Sequence, residues 1–147
     1  MKQVDFYHLT ATPLDRALPQ IAAKVVESGA RLLIVSASDD QRGEIDRLLW
    51  VYRNDSFLPH AQVGMGNATM QPILIAPDVN AANGATHVAL VDGEWREAAL
   101  DFDRAFHFFE DSHIQPARQA WRDLNGRDGI ERHYWKQNDS GRWEQAA

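Results

Sequence analysis

Three short runs of consecutive apolar residues constrain the fold of this chain more than any other feature. They are Leu32–Val35, Ile73–Ile75 and Val88–Leu90. A strand that is covered on both faces has this appearance, because neither set of its alternating side chains meets water. Helical patterns lie before and after the first run. This alternation predicts a mainly parallel sheet with right-handed crossovers and helices on both faces.

The order of the predicted elements indicates the α/β class. We expect a single domain over residues 1–147, with three layers (α/β/α, Rossmann-like) and a mainly parallel sheet of about five strands. We place its core strands at the apolar runs that are bounded by turn residues. The five strands are predicted at residues 4–9, 31–36, 72–76, 87–91 and 105–109.

The first helix is predicted from apolar residues at helical spacing. Pro13 favours its first position and Gly29 favours its C-terminal end. Pro19 lies inside this segment and removes a backbone donor. Two alternatives therefore remain open, a regular helix that begins near Leu18 or a helix that kinks at Pro19.

Two later helices have recognisable signals at their ends. Ser38 and Gln41 form a capping-box pattern at the start of the second helix. Pro116 starts the third helix, which ends near Gly126. Residues from about 113 to 147 are thus predicted to form a helix followed by a tail that is rich in basic and aromatic residues.

The distribution of charge narrows the class of partners. The formal net charge of −6 argues against a surface that binds nucleic acid throughout. From residue 113 onward, however, six basic residues outnumber five acidic ones. A small basic site on an acidic domain suits a short acidic peptide better than a duplex.

Cysteine usage and hydropathy indicate a cellular location. The chain has no cysteine, so it has no disulfide and no thiolate site. No apolar run reaches the roughly 18 residues of a membrane span, and the first residues lack the pattern of a signal peptide. We therefore expect a cytoplasmic protein that has no membrane contact.

The sequence patterns of common enzyme sites are missing. Neither a phosphate loop nor a Gly-x-Ser-x-Gly elbow occurs. Residues 64–69 are similar to a dinucleotide-binding pattern, but they lack its third glycine and do not open an obvious helix. The six histidines do not have metal-ligand spacing. No metal or cofactor is therefore expected.

Three residues of the third helix form a candidate site. Arg118 and Arg122 are four residues apart and lie side by side, although like charges at this spacing destabilise a helix. Trp121 places an aromatic ring beside them. Arginine forks bind carboxylates, so this set suits a peptide with acidic residues and a hydrophobic C-terminal residue. In the alternative interpretation, the arginines are merely solvated and Trp121 packs with Ala117 and Leu124.

A second candidate site follows the second helix. Trp50 lies off the apolar stripe of this helix, and Phe57 and the rigid Pro59 come after a polar turn. These three side chains either form a small apolar patch on the surface or fold back as a lid on the core. The latter is favoured by the usual burial of Trp and Phe.

Several short motifs occur in an order that resembles one known family. The motifs are Val4–Leu9, Leu48–Trp50, Ser56–His60, Ala117–Arg122, Tyr134–Gln137 and Gly141–Trp143. Together they resemble the chi subunit of bacterial DNA polymerase III holoenzyme over nearly the whole chain. The stretches between Pro72 and Ser112 and from Asp123 to Ile130 show less of that pattern.

The resemblance implies a non-catalytic accessory subunit in DNA replication. In that family, the subunit links the clamp-loader complex, through the psi subunit, to the acidic C-terminal tail of the single-stranded DNA-binding protein, and it contacts DNA indirectly. The residues that match the tail-binding site are Arg118, Trp121 and Arg122. The residues that match the psi-facing patch are Trp50, Phe57, Pro59 and His60, with His60 hydrogen-bonding at the rim.

Two other classes of function remain open. One is a Rossmann-like enzyme that binds a small molecule or nucleotide at the strand ends near Ser36, Ala76 and Val91. The other is a direct single-stranded DNA binder that uses Trp121, Tyr134 and Trp135 as stacking platforms. The missing phosphate loop argues against the former, and the acidic body argues against the latter.

Overall fold

The computed structural model describes residues 2–51, 58–65 and 67–147. In these residues the chain forms one eight-stranded sheet and three α-helices. The strands are β1 (Lys2–His8), β2 (Leu32–Val35), β3 (His60–Gln62), β4 (Ile73–Ala76), β5 (His87–Leu90), β6 (Arg104–Phe109), β7 (Ile130–Gln137) and β8 (Trp143–Gln145). The helices are α1 (Leu14–Glu27), α2 (Asp39–Val51) and α3 (Ile114–Asp123).

The sheet has the order β3-β4-β2-β5-β6-β1-β7-β8. Every neighbouring pair is parallel except β7 and β8, which are antiparallel. The predicted α/β class and mainly parallel sheet are confirmed. The predicted number of about five strands is wrong, because β3, β7 and β8 also belong to the sheet. These three strands lie at or near its edges, where half-exposed strands do not need continuous apolar runs.

Alternate side chains of the central strands enter two separate apolar clusters. Leu33 and Val35 of β2 belong to the cluster that contains the buried residues of α3. Leu32 and Ile34 of the same strand belong to the cluster that contains the buried residues of α1 and α2. Because successive side chains of a strand point to opposite faces, α3 packs on one face of the sheet and the other two helices pack on the opposite face.

The first helix runs through its internal proline. It begins at Leu14, directly after Pro13, and Pro19 is buried inside it. The alternative of a helix that begins near Leu18 is therefore wrong. Gly29 follows the helix with a φ of 85°, a left-handed conformation that glycine adopts without steric cost.

Of the two hydrogen bonds that define a capping box, one is present at the start of α2. The backbone amide of Gln41 donates to the Ser38 hydroxyl at 3.1 Å, as expected of a cap. The Gln41 side chain, however, donates to the carbonyl of Val91 at 3.0 Å and accepts from the hydroxyl of Ser36. This glutamine thus joins the start of α2 to the ends of β2 and β5.

The turn after β5 fixes the start of α3. Asp92 accepts hydrogen bonds from the Arg96 side chain and from the backbone amides of Ala37 and Glu94. Burial alone would raise the pKa of Asp92, but these hydrogen bonds outweigh it and lower the pKa to about 2. The next residue, Gly93, has a φ of 81°, and a Cβ atom there would lie 2.6 Å from Cγ of His113. Only glycine lets His113 pack this closely.

Candidate functional site

The exposed side of α3 carries two arginines, as predicted from their spacing. Arg118 and Arg122 are exposed, whereas Ala117 on the same helix is buried. Arg122 donates to the side-chain oxygen of Gln119 at 2.9 Å. Within residues 2–51, 58–65 and 67–147, Arg118 has no side-chain hydrogen bond or ion pair, so its guanidinium keeps its donors for a ligand.

Trp121 lies between the helix and the sheet. It is half-buried and packs edge-on against Phe6, with ring centroids 5.4 Å apart, and against Tyr134, with centroids 5.6 Å apart. The alternative in which Trp121 packs against the core with Ala117 and Leu124 therefore describes part of its environment. The exposed remainder of the indole lies next to the arginines in the sequence of the helix.

Arg132 of β7 joins this group, and sequence reasoning missed it. Its guanidinium carbon lies 3.9 Å from the centroid of the Trp121 ring, in a cation–π arrangement. One of its terminal nitrogens donates to the carbonyl oxygen of Trp121, and the other donates to Asn125 Oδ1 at 3.0 Å. A cation that binds a carbonyl in the last turn of α3 also complements the helix dipole.

Arg132 was predictable only if β7 had been recognised as a strand. Residues 130, 132 and 134 alternate with 131, 133 and 135, so Arg132 and Tyr134 share the face that meets α3. Burial raises the pKa of Tyr134, and the charge of Arg118 opposes that rise. Arg118 therefore lies close enough to Tyr134 to interact with it electrostatically. We call Arg118, Trp121, Arg122, Arg132 and Tyr134 the α3–β7 surface.

The α3–β7 surface can bind carboxylates. Arg118 and Arg122 bring exposed guanidinium groups, and the guanidinium of Arg132 uses only two of its five N–H donors in the contacts described above. Guanidinium groups form paired hydrogen bonds with carboxylates. The half-buried aromatic rings of Trp121 and Tyr134 add apolar area for a neighbouring side chain.

The end of α2 presents an apolar surface. Trp50 is 55% exposed and Val51 is 74% exposed. The Trp50 ring contacts the ring of His60, with centroids 5.0 Å apart. Pro59 is partly exposed nearby in the chain. Phe57 lies outside the described residues. Of the three side chains predicted to form a patch, the structure therefore describes Trp50 and Pro59.

His60 does not lie at an exposed rim. Its side chain is inaccessible to solvent. Its Nδ1 is 2.6 Å from the carbonyl oxygen of Leu58, and its Nε2 is 3.0 Å from the carbonyl oxygen of Asp46. Both ring nitrogens are thus occupied within the chain. The expected rim hydrogen bond is corrected to a structural role, in which His60 fastens β3 to α2.

The two predicted sites are well separated in the fold. Trp50 lies on α2, which packs on one face of the sheet, whereas Trp121 lies on α3, which packs on the other. The strand next to α2 in the first site is β3, at one edge of the sheet, and the second site uses β7, near the opposite edge. A ligand at one site would therefore leave the other site uncovered.

The stacking platform of the alternative DNA-binding hypothesis does not form as one surface. Tyr134 packs against Trp121 on the α3 side of the sheet. Trp135 stacks against Tyr7 on the opposite side, with ring centroids 6.2 Å apart. Trp121, Tyr134 and Trp135 thus divide between the two faces, because consecutive residues of β7 point in opposite directions.

Two of the three strand ends proposed for an enzyme site are occupied by structural contacts, whereas the third, at Val91, borders a cavity of about 440 Å³. Ser36 and Ala76 are buried, and the Ser36 hydroxyl is bonded to Gln41. Within the described ranges, no group of three or more His, Asp or Glu side chains is arranged to hold a metal ion. No helix in these ranges is long and apolar enough to cross a membrane.

Comparison with known proteins identifies the family. The sequence model of the family described as DNA polymerase III chi subunit, HolC, matches residues 1–130. DNA polymerase III subunit chi of Escherichia coli (strain K12) is 27% identical over 132 residues, which cover 83% of this chain and 90% of that protein. The subunit chi of Pseudomonas aeruginosa is 32% identical over 65 residues, covering 42% of this chain and 45% of that protein. The chain therefore belongs to the DNA polymerase III chi subunit family.

Proposed function

We propose that this chain is a non-catalytic accessory subunit of bacterial DNA polymerase III holoenzyme that docks the acidic C-terminal tail of the single-stranded DNA-binding protein. In this role, it links the clamp-loader complex to the protein that coats the single strand, and it contacts DNA indirectly. It works in the cytoplasm during DNA replication. Membership of the chi subunit family supports the assignment to a replication subunit.

The observation that carries the tail-docking proposal is the local excess of cations on the α3–β7 surface. Arg118 is exposed and has no side-chain ion pair among the described residues, and Arg122 bonds only to the neutral side chain of Gln119 in the same part of the chain. This positive patch lies on a protein of net charge −6. An acidic peptide gains attraction there and meets repulsion over the rest of the surface.

The aromatic members of the same surface set the apolar part of the specificity. Trp121 is held on several sides by Phe6, Tyr134 and Arg132, so it loses little rotamer freedom when a peptide binds. A hydrophobic residue at the end of the tail packs against the exposed part of this indole. The terminal carboxylate then lies within reach of the neighbouring arginines.

The second partner is proposed to be the psi subunit of the clamp loader, bound at the end of α2. Trp50 and Pro59 bury apolar area against psi, at a gross value of about 25 cal/mol per Å². Phe57 is assigned to the same contact. His60 supports this surface from within, because its ring lies beneath the exposed indole of Trp50.

The tail proposal is tested with a synthetic peptide that ends in the C-terminal residues of the cognate single-stranded DNA-binding protein. The peptide carries a fluorophore at its N-terminus, and its binding to the full-length chain is followed by anisotropy. Arg122→Glu is expected to weaken binding by about tenfold or more, because a carboxylate then faces the acidic tail. The matched control is Arg16→Glu, the same charge reversal on the exposed side of α1.

Two further arms define what is recognised. A peptide with an amidated C-terminus is expected to bind more weakly than the free acid, and added salt is expected to weaken binding of the free acid. Trp50→Ala should leave tail binding unchanged while reducing binding to purified psi, and Arg122→Glu should do the reverse. Equal losses for Arg16→Glu and Arg122→Glu, or no binding by the folded wild type, would overturn the proposal.

A further inference from the structure

A crevice without an assigned role lies at the edge of the sheet where the parallel strands end. β6 and β1 are neighbours in the sheet. The chain leaves β6 towards α3 on one face of the sheet, and it leaves β1 towards α1 on the opposite face. In an open α/β sheet, ligands bind where two neighbouring strands part in this way. The fold therefore opens a crevice between the ends of β1 and β6.

The crevice consists of three adjoining cavities of about 440, 500 and 500 Å³. Glu110, the residue after β6, borders all three. The first cavity lies over the strand ends, the second lies between the start of α1 and α2, and the third follows the loop from β1 to α1. Each has the size of a small-molecule site, so together they give space for a peptide of several residues. We call these cavities and their lining residues the carboxyl-edge groove.

The floor of the carboxyl-edge groove is apolar. Leu9, Phe108 and Phe109 line the first cavity and are buried. Leu14 of α1 borders the first two cavities, and Leu48 of α2 borders the second. Both of these leucines are partly exposed. The apolar area that a ligand can cover therefore comes from Leu14 and Leu48, above a floor that is already packed.

The rim of the carboxyl-edge groove is acidic. Four exposed carboxylates line it, and within residues 2–51, 58–65 and 67–147 none of them has an ion pair: Asp15, Asp40, Glu44 and Glu110. Glu44 borders two of the cavities, and Glu110 borders all three. A cationic ligand in the groove therefore meets carboxylates that have no competing partner in the described parts of the chain.

The other charged groups of the lining do not neutralise this rim. Asp92 is bonded to Arg96, and Asp111 Oδ1 lies 2.5 Å from His8 Nε2, so these two carboxylates have partners of their own. Among the described residues, the cationic side chains of the lining are Arg47 and, when protonated, His113. The groove thus keeps an excess of negative charge.

The backbone amides that could hold an anion beside this groove are already occupied. In many α/β folds, phosphate binds to amides of the loop that follows the first strand. Here the amides of Thr10, Ala11 and Thr12 all donate to Oε1 of Gln137, at 3.2, 3.0 and 2.9 Å. Pro13, which follows them, has no amide proton. A nucleotide would therefore meet carboxylates at the rim and find the donors of this loop in use.

We propose that the carboxyl-edge groove binds a basic segment of a partner protein, in which hydrophobic residues alternate with arginine or lysine. The hydrophobic side chains cover Leu14 and Leu48, and the cationic ones pair with the carboxylates of the rim. Charge complementarity selects this partner. The inference does not depend on tail docking, because the α3–β7 surface is proposed to take a peptide of the opposite charge.

The probe for this proposal is the peptide Gly-Arg-Leu-Arg-Leu-Arg-Leu-Gly with fluorescein at its N-terminus. Its binding to the full-length chain is followed by anisotropy at low salt, where charge pairs at the surface are least screened. A second peptide, with serine in place of each leucine, has the same charge and no apolar side chains. Wild type is expected to bind the leucine peptide about tenfold more tightly than the serine peptide, because only the former covers apolar area.

Charge reversal in the groove tests where the probe binds. Glu44→Lys and Glu110→Lys are each expected to lower affinity about tenfold, since a cation then faces the arginines of the peptide. Both residues are exposed, and urea titration checks that each variant is folded. The matched control is Glu27→Lys, the same change at the exposed end of α1. Because α1 has 14 residues, Glu27 lies roughly 20 Å from its first turn, so this variant should keep at least about half of the affinity.

Four outcomes would overturn the proposal. They are no binding of the leucine peptide by folded wild type, equal affinity for the serine peptide, a loss in Glu27→Lys as large as that in Glu44→Lys, and complete displacement of the peptide by an equal concentration of spermidine. The last outcome would give the groove a small amine as its ligand. Because the acidic tail peptide is titrated separately, failure of the tail-docking proposal leaves this test intact.

Discussion

Asp5 and His107 are both fully buried at the centre of the sheet, but their surroundings are opposite in kind. Asp5 of β1 accepts hydrogen bonds from Arg104 at 2.8 Å, Trp135 at 3.1 Å and Gln3 at 3.0 Å. His107 of β6 has no hydrogen-bond partner for either ring nitrogen among residues 2–51, 58–65 and 67–147. The first residue stands under the α1 face, and the second stands under the α3 face.

The difference shows how each face is stabilised. A carboxylate that receives three donors supports a polar network, and this network holds the Trp135 and Arg104 side chains on the α1 face. His107 is instead surrounded by the rings of Phe6, Trp95 and Phe109 at centroid distances of 5.3, 5.6 and 5.7 Å. The α3 face therefore depends on apolar packing that tolerates only the neutral imidazole.

The largest expected effect comes from breaking the network on the α1 face. Asp5→Ala leaves the Arg104 guanidinium and the Trp135 indole without their buried acceptor, and we expect a loss of about 3 kcal/mol in the free energy of unfolding. Urea titration at pH 7 measures it. Asp5→Asn retains the shape and one acceptor, so its loss should be smaller. A loss below about 0.5 kcal/mol for the alanine variant would show that the network does not hold this face.

The next largest expected effect is a dependence of stability on pH that is caused by His107, the uncharged histidine of the α3 face. Burial lowers the pKa of His107 from 6.5 to about 4. Between these two values, the unfolded chain binds a proton that the folded chain does not, so stability falls as the pH falls through this window. We expect a contribution on the order of 3 kcal/mol to be present above pH 6.5 and lost by pH 4.

His107→Leu is the variant that isolates this contribution. Unfolding free energies of wild type and variant, measured from pH 7 to pH 4, should diverge in favour of leucine as the solution becomes acidic. Because the carboxylates titrate in both proteins, their effects cancel in the difference. Parallel curves would mean that His107 is protonated inside the fold and that the contrast with Asp5 is wrong.

The smallest expected effect comes from a variant that separates the contribution of stacking from the contribution of charge on the α3–β7 surface. Arg132→Lys retains a cation but loses the planar contact with Trp121 and the paired bonds to Trp121 and Asn125. We expect a loss of about 1 kcal/mol in stability and weaker binding of the tail peptide. Thermal unfolding and the peptide titration measure the two parts. Unchanged peptide affinity alongside reduced stability would restrict Arg132 to supporting α3.

The core of the fold was predictable because its strands are covered on both faces. Leu32–Val35 and Ile73–Ala76 read as apolar runs and lie in the sheet. Ile130–Gln137 also forms a strand, but it mixes charged residues with two adjacent aromatic ones, since both of its faces are partly exposed. This pattern has no continuous apolar run, so the sequence predicts a tail where β7 lies. The strands β3 and β8 have three residues each, which is too short for an apolar pattern to be recognised.

The candidate site was predictable only as far as helical spacing reaches. Arg118 and Arg122 are neighbours on α3 because they are four residues apart. Arg132 meets Trp121 only through the docking of β7 beside β1, a long-range event. The same event separates Tyr134 from Trp135. His60 shows the opposite error, because a residue that was predicted to bond to a partner has both ring nitrogens bonded within the chain. Its position next to a proline gives no sign of these bonds.

The position of β1 in the sheet has a consequence for how the chain folds during synthesis. It lies between β6 and β7, and residues 9–103 separate it from the nearer of these neighbours along the chain. At about 5–20 residues per second, a ribosome needs several seconds to supply the first partner strand. Until then, the edges of β1 stay unpaired and Phe6 lacks the packing of His107 and Tyr134. We therefore expect late, slow closure of the sheet, with nascent chains shorter than about 110 residues dependent on chaperones.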